Sequence, residues 1–347
     1  MTDILHIIDR TTPLDMLRQL QFLIGDDDHL ISLGRSPAYW AGERIREVHC
    51  PLGSEQLAGI ALRPLVASAG IVHCWSVAAA RALPFMGPLA GKVLSLPTAG
   101  GHSAAAGIAK AFVGADLHIT VPTQASAQIL VKAGLPQSYV HVVPPAATPA
   151  ENAASQRTEV RRALNISDDE ILMVCPNEMI RYAGHKYAAW CHAVLMQVDD
   201  RVRLLLAGGG EHSQSVRSFA QTTGYDREVI LSEDRFTPEQ CLAAGDIGVF
   251  LVERDCGLSM VAQAFAMGLG VAASSTADLV EFTDDGRRAC LAPPADPRLG
   301  SAALLRLIEE PEYARRLAQE ARDFALANLM PQQVRASMQA VYLAAGA

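Results

Sequence analysis

Positive charge is what this sequence is short of: 29 lysines and arginines stand against 37 aspartates and glutamates, a formal net charge of −8. Binding to duplex nucleic acid rests on a cationic footprint, so nucleic acid is excluded as a main partner. Residues 1–150 hold ten charges of each sign, which leaves the whole acidic excess in the second half. No two of the seven cysteines (Cys50, Cys74, Cys175, Cys191, Cys241, Cys256, Cys290) fall at C-x-x-C spacing, and no Cys/His metal spacing occurs. An odd count at wide intervals, mostly inside apolar runs, reads as buried free thiols in a reducing compartment. Around the opening "ILHIID" there is no basic n-region and no cleavage site, so no secretory signal is expected. No uncharged apolar run that reads as helix reaches the ~18–20 residues of a membrane span. The expectation is a cytoplasmic protein without a transmembrane segment, extending at most to the inner face of the membrane.

What is present is core material. Half of the residues are hydrophobic and 19% are charged, a globular composition rather than a disordered or fibrous one. A length of 347 residues suits two domains at roughly 150 residues each. "ILHII" is a continuous apolar run, the pattern of a parallel strand buried on both faces. "TPLDMLRQLQFLIG" follows with apolar residues at near-helical spacing, then the strand "HLISLG". The runs 71–76, 92–97, 117–122 and 140–145 read as further strands, with helices predicted over 76–87, 103–115 and 123–134. Residues 144–156, "PPAATPAENAASQ", interrupt the pattern as a linker. Alternation restarts with a helix from 159 and the strand "EILMVCP", and from 298 the chain is nearly all helical. Strand–helix alternation with short turns means doubly wound parallel sheets. Ligands of such sheets bind beyond the carboxyl ends of the strands.

The order and spacing of several segments resemble a family-four (group 1) glycosyltransferase of the GT-B fold. "ILHIIDRTTPLDMLRQL…HLISLG" is similar to that family's opening strand, loop, helix and second strand. "ADLHITVPTQASAQILVKAGLPQSYVHVVPPAA" is similar to the segment that closes its first domain, and "VRLLLAGGGE" to the strand before a glycine turn. "VILSEDRFTPEQCLAAGDIGVFLVERDCGLSMVAQAFAMGLGVAAS" resembles its most diagnostic segment. The resemblance implies an α/β fold of two Rossmann-like domains facing across a cleft. The N-terminal acceptor domain would span 1–148 and the nucleotide-sugar domain 149–325, with a helix over 326–347 packing back on the first domain. It further implies transfer of a sugar from a nucleotide-diphosphate sugar to an acceptor hydroxyl, with retention, with no cofactor and no essential metal. The acceptor, whether a glycan, a lipid-linked or a small-molecule substrate, has no readable signature.

Site residues follow from the same resemblance. A diphosphate leaving group gains charge as the glycosidic bond loosens, and fixed amides or cations aimed at it supply catalysis. Gly257, Leu258 and Ser259 would offer backbone amides, and Gly208 and Gly209 a second donor-binding turn. Arg181 and Lys186 would neutralise the diphosphate, Asp255 or Glu253 would hold the sugar, and Gln263 the ribose. Gly100 and Gly101 leave the backbone beside His102 permissive on the acceptor side. Base choice would rest on backbone contacts near Asp234–Phe236.

The chain departs from the family's pattern at these same places. Asp255 and Gln263 stand where two glutamates are expected, and Ala183-Gly184-His185 replaces Lys-Gly-His. The usual arginine before that triplet is displaced. Leu14–Asp15 replaces a glycine pair, and Leu17 a glutamate. A second reading is therefore a non-catalytic GT-B protein that binds a nucleotide, a glycan or a protein partner. Simpler readings stand beside each feature: Asp255 as a helix-entry residue, His73, His185 and His192 as structural, Trp75 as core or cleft-lining. Asp26–Asp28 and Asp284–Asp285 read as solvated turns. Residues 64–91 carry one charge, Arg81, which fits packed helices better than a face for a lipid-linked acceptor.

Overall fold

The computed structural model describes residues 3–35, 45–48, 54–225, 228–232 and 235–346, so Cys50 and Asp234 lie outside the described residues. The chain divides into two units, Met1–Pro145 with Pro331–Ala347, and Ala146–Met330.

The first unit is built on seven parallel strands: β1 (Ile4–Asp9), β2 (His29–Leu33), β3 (Arg46–Val48), β4 (Ile71–Cys74), β5 (Gly91–Ser95), β6 (His118–Val121) and β7 (Val140–Val142). Their order is β3-β2-β1-β4-β5-β6-β7. Between them run α1 (Leu14–Leu23), α2 (Glu55–Val66), α3 (Val77–Ala80), α4 (Gly101–Phe112) and α5 (Gln124–Lys132). Apolar runs form these strands because helices cover both faces. Leu5, Ile7, Val72, Leu94 and Ile119 face one core, while Ile8 and Trp75 face α1 through Met16, Leu17 and Leu20. Trp75 is therefore core, and its Nε1 donates to His6 Nδ1 at 3.1 Å.

The second unit carries six parallel strands: β8 (Ile171–Cys175), β9 (Val202–Leu206), β10 (Val229–Leu231), β11 (Ile247–Phe250), β12 (Gly270–Ser274) and β13 (Cys290–Ala292), in the order β10-β9-β8-β11-β12-β13. Its helices are α6 (Ala153–Ala163), α7 (His185–Leu195), α8 (Ser213–Thr222), α9 (Pro238–Ala244), α10 (Leu258–Met267), α11 (Ala277–Phe282), α12 (Pro297–Glu309) and α13 (Pro311–Asn328). The last helix, α14 (Pro331–Ala345), belongs to the first unit. Met338, Val341 and Tyr342 pack there on Ile71 and Val93. Tyr342 Oη and Ser95 Oγ each lie 2.8 Å from a ring nitrogen of His73. Burial, then the nearby His6, pushes the His73 pKa well down, so the ring is neutral at pH 7 and joins sheet to helix without a buried charge.

The doubly wound architecture expected from the alternation is the one found. Short elements are the exceptions. The strands β3 and β13 are two that the alternation did not predict. The helix expected over 76–87 is one turn, α3, followed by a 3₁₀ turn at Leu83–Phe85, because Pro84 has no amide hydrogen to continue the ladder. Among the described residues, no helix is long and apolar enough to cross a membrane.

One ion cluster ties α6 to the second sheet. The Arg161 side chain is buried and gives hydrogen bonds to the carbonyls of Ala244, Ser167 and Glu170 and to Asp246. Asp246 also receives Arg157 at 2.7 Å and the Leu172 amide at 2.8 Å. Removing the acid leaves a buried guanidinium short of its counter-charge and β8 short of an acceptor. Asp246→Ala is expected to lower the unfolding free energy by about 3 kcal/mol in a urea titration. A loss below about 1 kcal/mol, the level of an exposed pair, would contradict this.

Candidate functional site at the switch point of the second sheet

Strand order in the second sheet runs from β8 outward to β10, then restarts at β11 on the other side of β8. The loops after β8 and β11 therefore leave in opposite directions, and such a switch point opens a crevice at the carboxyl ends. Three loops meet there, after β8 (176–184), β9 (207–212) and β11 (251–257).

Backbone hydrogen bonds lace the three together. Met179 N donates to Gly209 O at 2.8 Å and His212 N to Met179 O at 2.9 Å, joining the first loop to the second. Glu253 N donates to Tyr182 O at 3.0 Å, joining the first to the third. Two glycines permit this approach. Gly184, at φ +85°, sits so close that a Cβ would overlap the Leu251 carbonyl. Gly257, at φ +72°, lies directly against the Asn177 side chain, where a Cβ would overlap its amide. Both are positions that L side chains rarely adopt. His185, the first residue of α7, reaches back so that Nε2 lies 3.1 Å from the Asn177 carbonyl. Burial lowers its pKa to about 4, so at neutral pH it is an uncharged strut.

Gly257 is the N-cap of α10. Every residue of α10 from Leu258 to Ala266 is buried, which explains why "LSMVAQAFA" is apolar on all sides. A helix so enclosed holds its N-terminus, and the partial positive charge there, in a fixed direction. Leu258 is part of the core of the unit, and Ser259 is buried in the first turn.

The remaining predicted residues have definite places. Gln263, the polar residue inside this helix, donates from Nε2 to Thr148 O at 2.6 Å and accepts from Thr148 N at 3.3 Å, a two-point clip on the chain ahead of α6. Asp255 Oδ1 accepts the Asp278 amide at 3.0 Å in the first turn of α11. Burial, and then the like charge of Asp278, raises the Asp255 pKa. Glu253 is half-buried and, after burial itself, contributes to raising the Tyr187 pKa. Arg181 and Lys186 are exposed, with the Arg181 guanidinium 5.6 Å from the Tyr182 ring and Lys186 Nζ 6.0 Å from the Phe219 ring. Arg254, a cation not singled out from the sequence, stacks over Tyr182 at 4.2 Å. Gly208 sits against the Asn177 carbonyl. Ala183 is buried. The structure thus brings Gly208, Gly209, Glu253, Asp255 and Gly257 to one edge of the second unit, while His102 belongs to the first, exposed at the start of α4. No group of three or more His, Cys, Asp or Glu among the described residues is placed to hold a metal.

Asn177 is the residue that sequence reasoning passed over. It is 2% exposed, and among the described residues neither its Oδ1 nor its Nδ2 has a hydrogen-bond partner. The only signal in the sequence was a polar residue just beyond a strand's carboxyl end.

Residues 172–310 match the sequence family described as group 1 glycosyl transferases. No curated protein matches this chain by sequence. Among solved structures it is similar to Anabaena Alr3699/HepE, in complex with UDP and glucose, at 14% identity and a TM-score of 0.81, over 98% of this chain and 99% of that one. It is also similar to a glycosyltransferase from Rickettsia africae, at 12% identity and 0.78, over 98% and 97%. A third likeness is to sucrose-phosphate synthase from Thermosynechococcus elongatus, at 16% identity and 0.77, over 99% and 98%. These likenesses define the whole chain as GT-B in fold. The family match lies on the second unit, which carries the switch point just described.

The Asp255 carboxylate yields a signed prediction. A folded-state pKa raised above the unfolded value gives stability that is present at low pH and lost as pH rises through the raised value. Asp255→Asn keeps the acceptor for the Asp278 amide but removes the charge. Its melting temperature is expected to equal wild type near pH 3.5 and to exceed it at pH 7. Parallel stability curves for the two proteins across that range would contradict the assignment.

Proposed function

We propose that the chain is a glycosyltransferase that takes a nucleotide-diphosphate sugar at the switch point of its second unit and passes the sugar to an acceptor hydroxyl. The observation that supports this most is the packing of the loops after β8, β9 and β11 around the N-terminus of α10, within the segment that matches group 1 glycosyltransferases. A helix N-terminus favours anions, and amides aimed at a developing charge stabilise its formation in the transition state. On this reading the first-turn amides from Gly257 to Ser259 meet the leaving diphosphate, with Arg181 and Lys186 supplying positive charge and no metal needed. Glu253 and Asp255 are the carboxylates beside the sugar. Anabaena Alr3699/HepE, solved with UDP, with UDP and glucose, and with UDP-glucose, makes uridine nucleotides the first donors to try. Hexosyl transfer with retention, an acceptor taken near Gly100–His102 of the first unit, and a cytoplasmic site of action that extends to the inner membrane face belong to the same proposal.

A second reading, a GT-B protein that binds without turnover, draws on two observations. The Gln263 amide is committed to Thr148, and Asp255 to the first turn of α11. The two readings separate in one series of measurements. Wild type is melted with UDP-, GDP-, ADP- and dTDP-sugars and their free nucleotides, and each binder is then assayed for release of nucleoside diphosphate. A ligand at 100 times its dissociation constant adds about 2.7 kcal/mol of stability, a shift easily seen. A shift with one base together with nucleotide release supports the transferase. A shift without release in the presence of glycan and lipid acceptors favours a nucleotide-binding protein, and no shift at all overturns the transferase and favours a GT-B protein that binds a glycan or a protein partner.

A further inference from the structure

Asn177 is an expense that the fold alone does not explain. A buried amide with neither its donor nor its acceptor satisfied is costly to the folded state. An Ala at this position, just beyond β8, would avoid that cost. The side chain lies against Gly257, the N-cap of a ten-residue helix. Its backbone carbonyl is already engaged by His185, and Gly208 packs on the same carbonyl. The main chain of Asn177 is thus held from two sides, and its side chain is directed at the turn that covers it.

From this geometry we infer that Asn177 is a specificity-determining residue of the donor site, whose amide takes a hydroxyl group of the sugar next to the diphosphate. The inference rests on the nucleotide-sugar reading above. A phosphate oxygen only accepts hydrogen bonds, so it would satisfy Nδ2 and leave Oδ1 facing a like partial charge. A hydroxyl both donates and accepts, and a pair of adjacent ring hydroxyls satisfies both amide atoms at once. A site that hydrogen-bonds a substrate hydroxyl also rejects analogues that lack it, because its own buried groups are then left unpaired. Gly257 is part of the same device. The turn 253–257 covers the amide, and with no Cβ on Gly257 it can lie on Asn177 when closed and expose it after a small shift.

The test is calorimetric titration of wild type, Asn177→Ala, Asn177→Asp and Asn177→Ser with UDP-glucose and with UDP. If wild type prefers another base, the corresponding pair from the melting series is used. Asn177→Ala is expected to bind the nucleotide sugar roughly tenfold more weakly, which corresponds to 1.4 kcal/mol, while its affinity for the free nucleoside diphosphate stays unchanged. Asn177→Ser, which keeps a donor and an acceptor, is expected to recover part of the loss, and Asn177→Asp, which has no donor when ionised, is not. Equal loss for sugar nucleotide and free nucleotide would overturn the assignment, as would no loss for either. A merely structural role would move both ligands together. Wild type that binds no nucleotide sugar would instead overturn the parent reading, an outcome visible before any variant is made.

Discussion

The close approach of the turn at Gly257 to the loop after β8 is the constraint on which the rest of the site depends. It requires a residue without a Cβ in left-handed conformation at the start of α10. The helix behind it is buried on every side, which anchors the body of α10. The neighbouring contacts follow from it. Tyr182 O holds Glu253, Gly184 nests under Leu251, and His185 fixes the carbonyl of Asn177. Each is a short-range interaction, and together they join three loops into one edge. Such an edge can present amides in a direction set in advance, which is what distinguishes a preorganised anion site from an ordinary helix end.

Positive charge in these loops lies on the outside. Ala183 is buried, while Arg181, Lys186 and Arg254 are exposed and associated with aromatic rings. A cation in contact with solvent is screened and contributes less than a buried one. On the proposed reading, a diphosphate here would be held by backbone amides and neutral side chains more than by buried guanidinium or ammonium groups. The same economy appears in the interior. His73, His185 and His192 are all buried with lowered pKa values, serving as neutral hydrogen-bonding struts rather than as charges.

Much of the fold was legible in the sequence because parallel strands buried on both faces are continuous apolar runs. "ILHII", "EILMVCP" and "VRLLLA" announce themselves, and so does the Pro-rich break near 144–156. The strands β3 and β13 were not legible: β3, "REV", is mostly charged, and β13, "CLA", has none of the β-branched residues that mark a strand. At the site, the turn at Gly257 was legible through its glycine and the Ala-rich helix behind it. The partners of Gln263 and Asp255 were not, because Thr148 and Asp278 lie far away in the chain and only the fold brings them into contact. Asn177 was hidden for the same reason. Its importance lies in a glycine on a different loop and in the hydrogen bonds it does not make.

The most direct test of the central claim is hydrogen exchange on the intact protein with and without the nucleotide sugar that stabilises it best. If the switch point of the second unit is the donor site, protection will rise in 176–184, 207–212 and 253–259, the three loops that close around α10. Protection confined to the first unit, with exchange in those loops unchanged by a bound nucleotide sugar, would contradict the account.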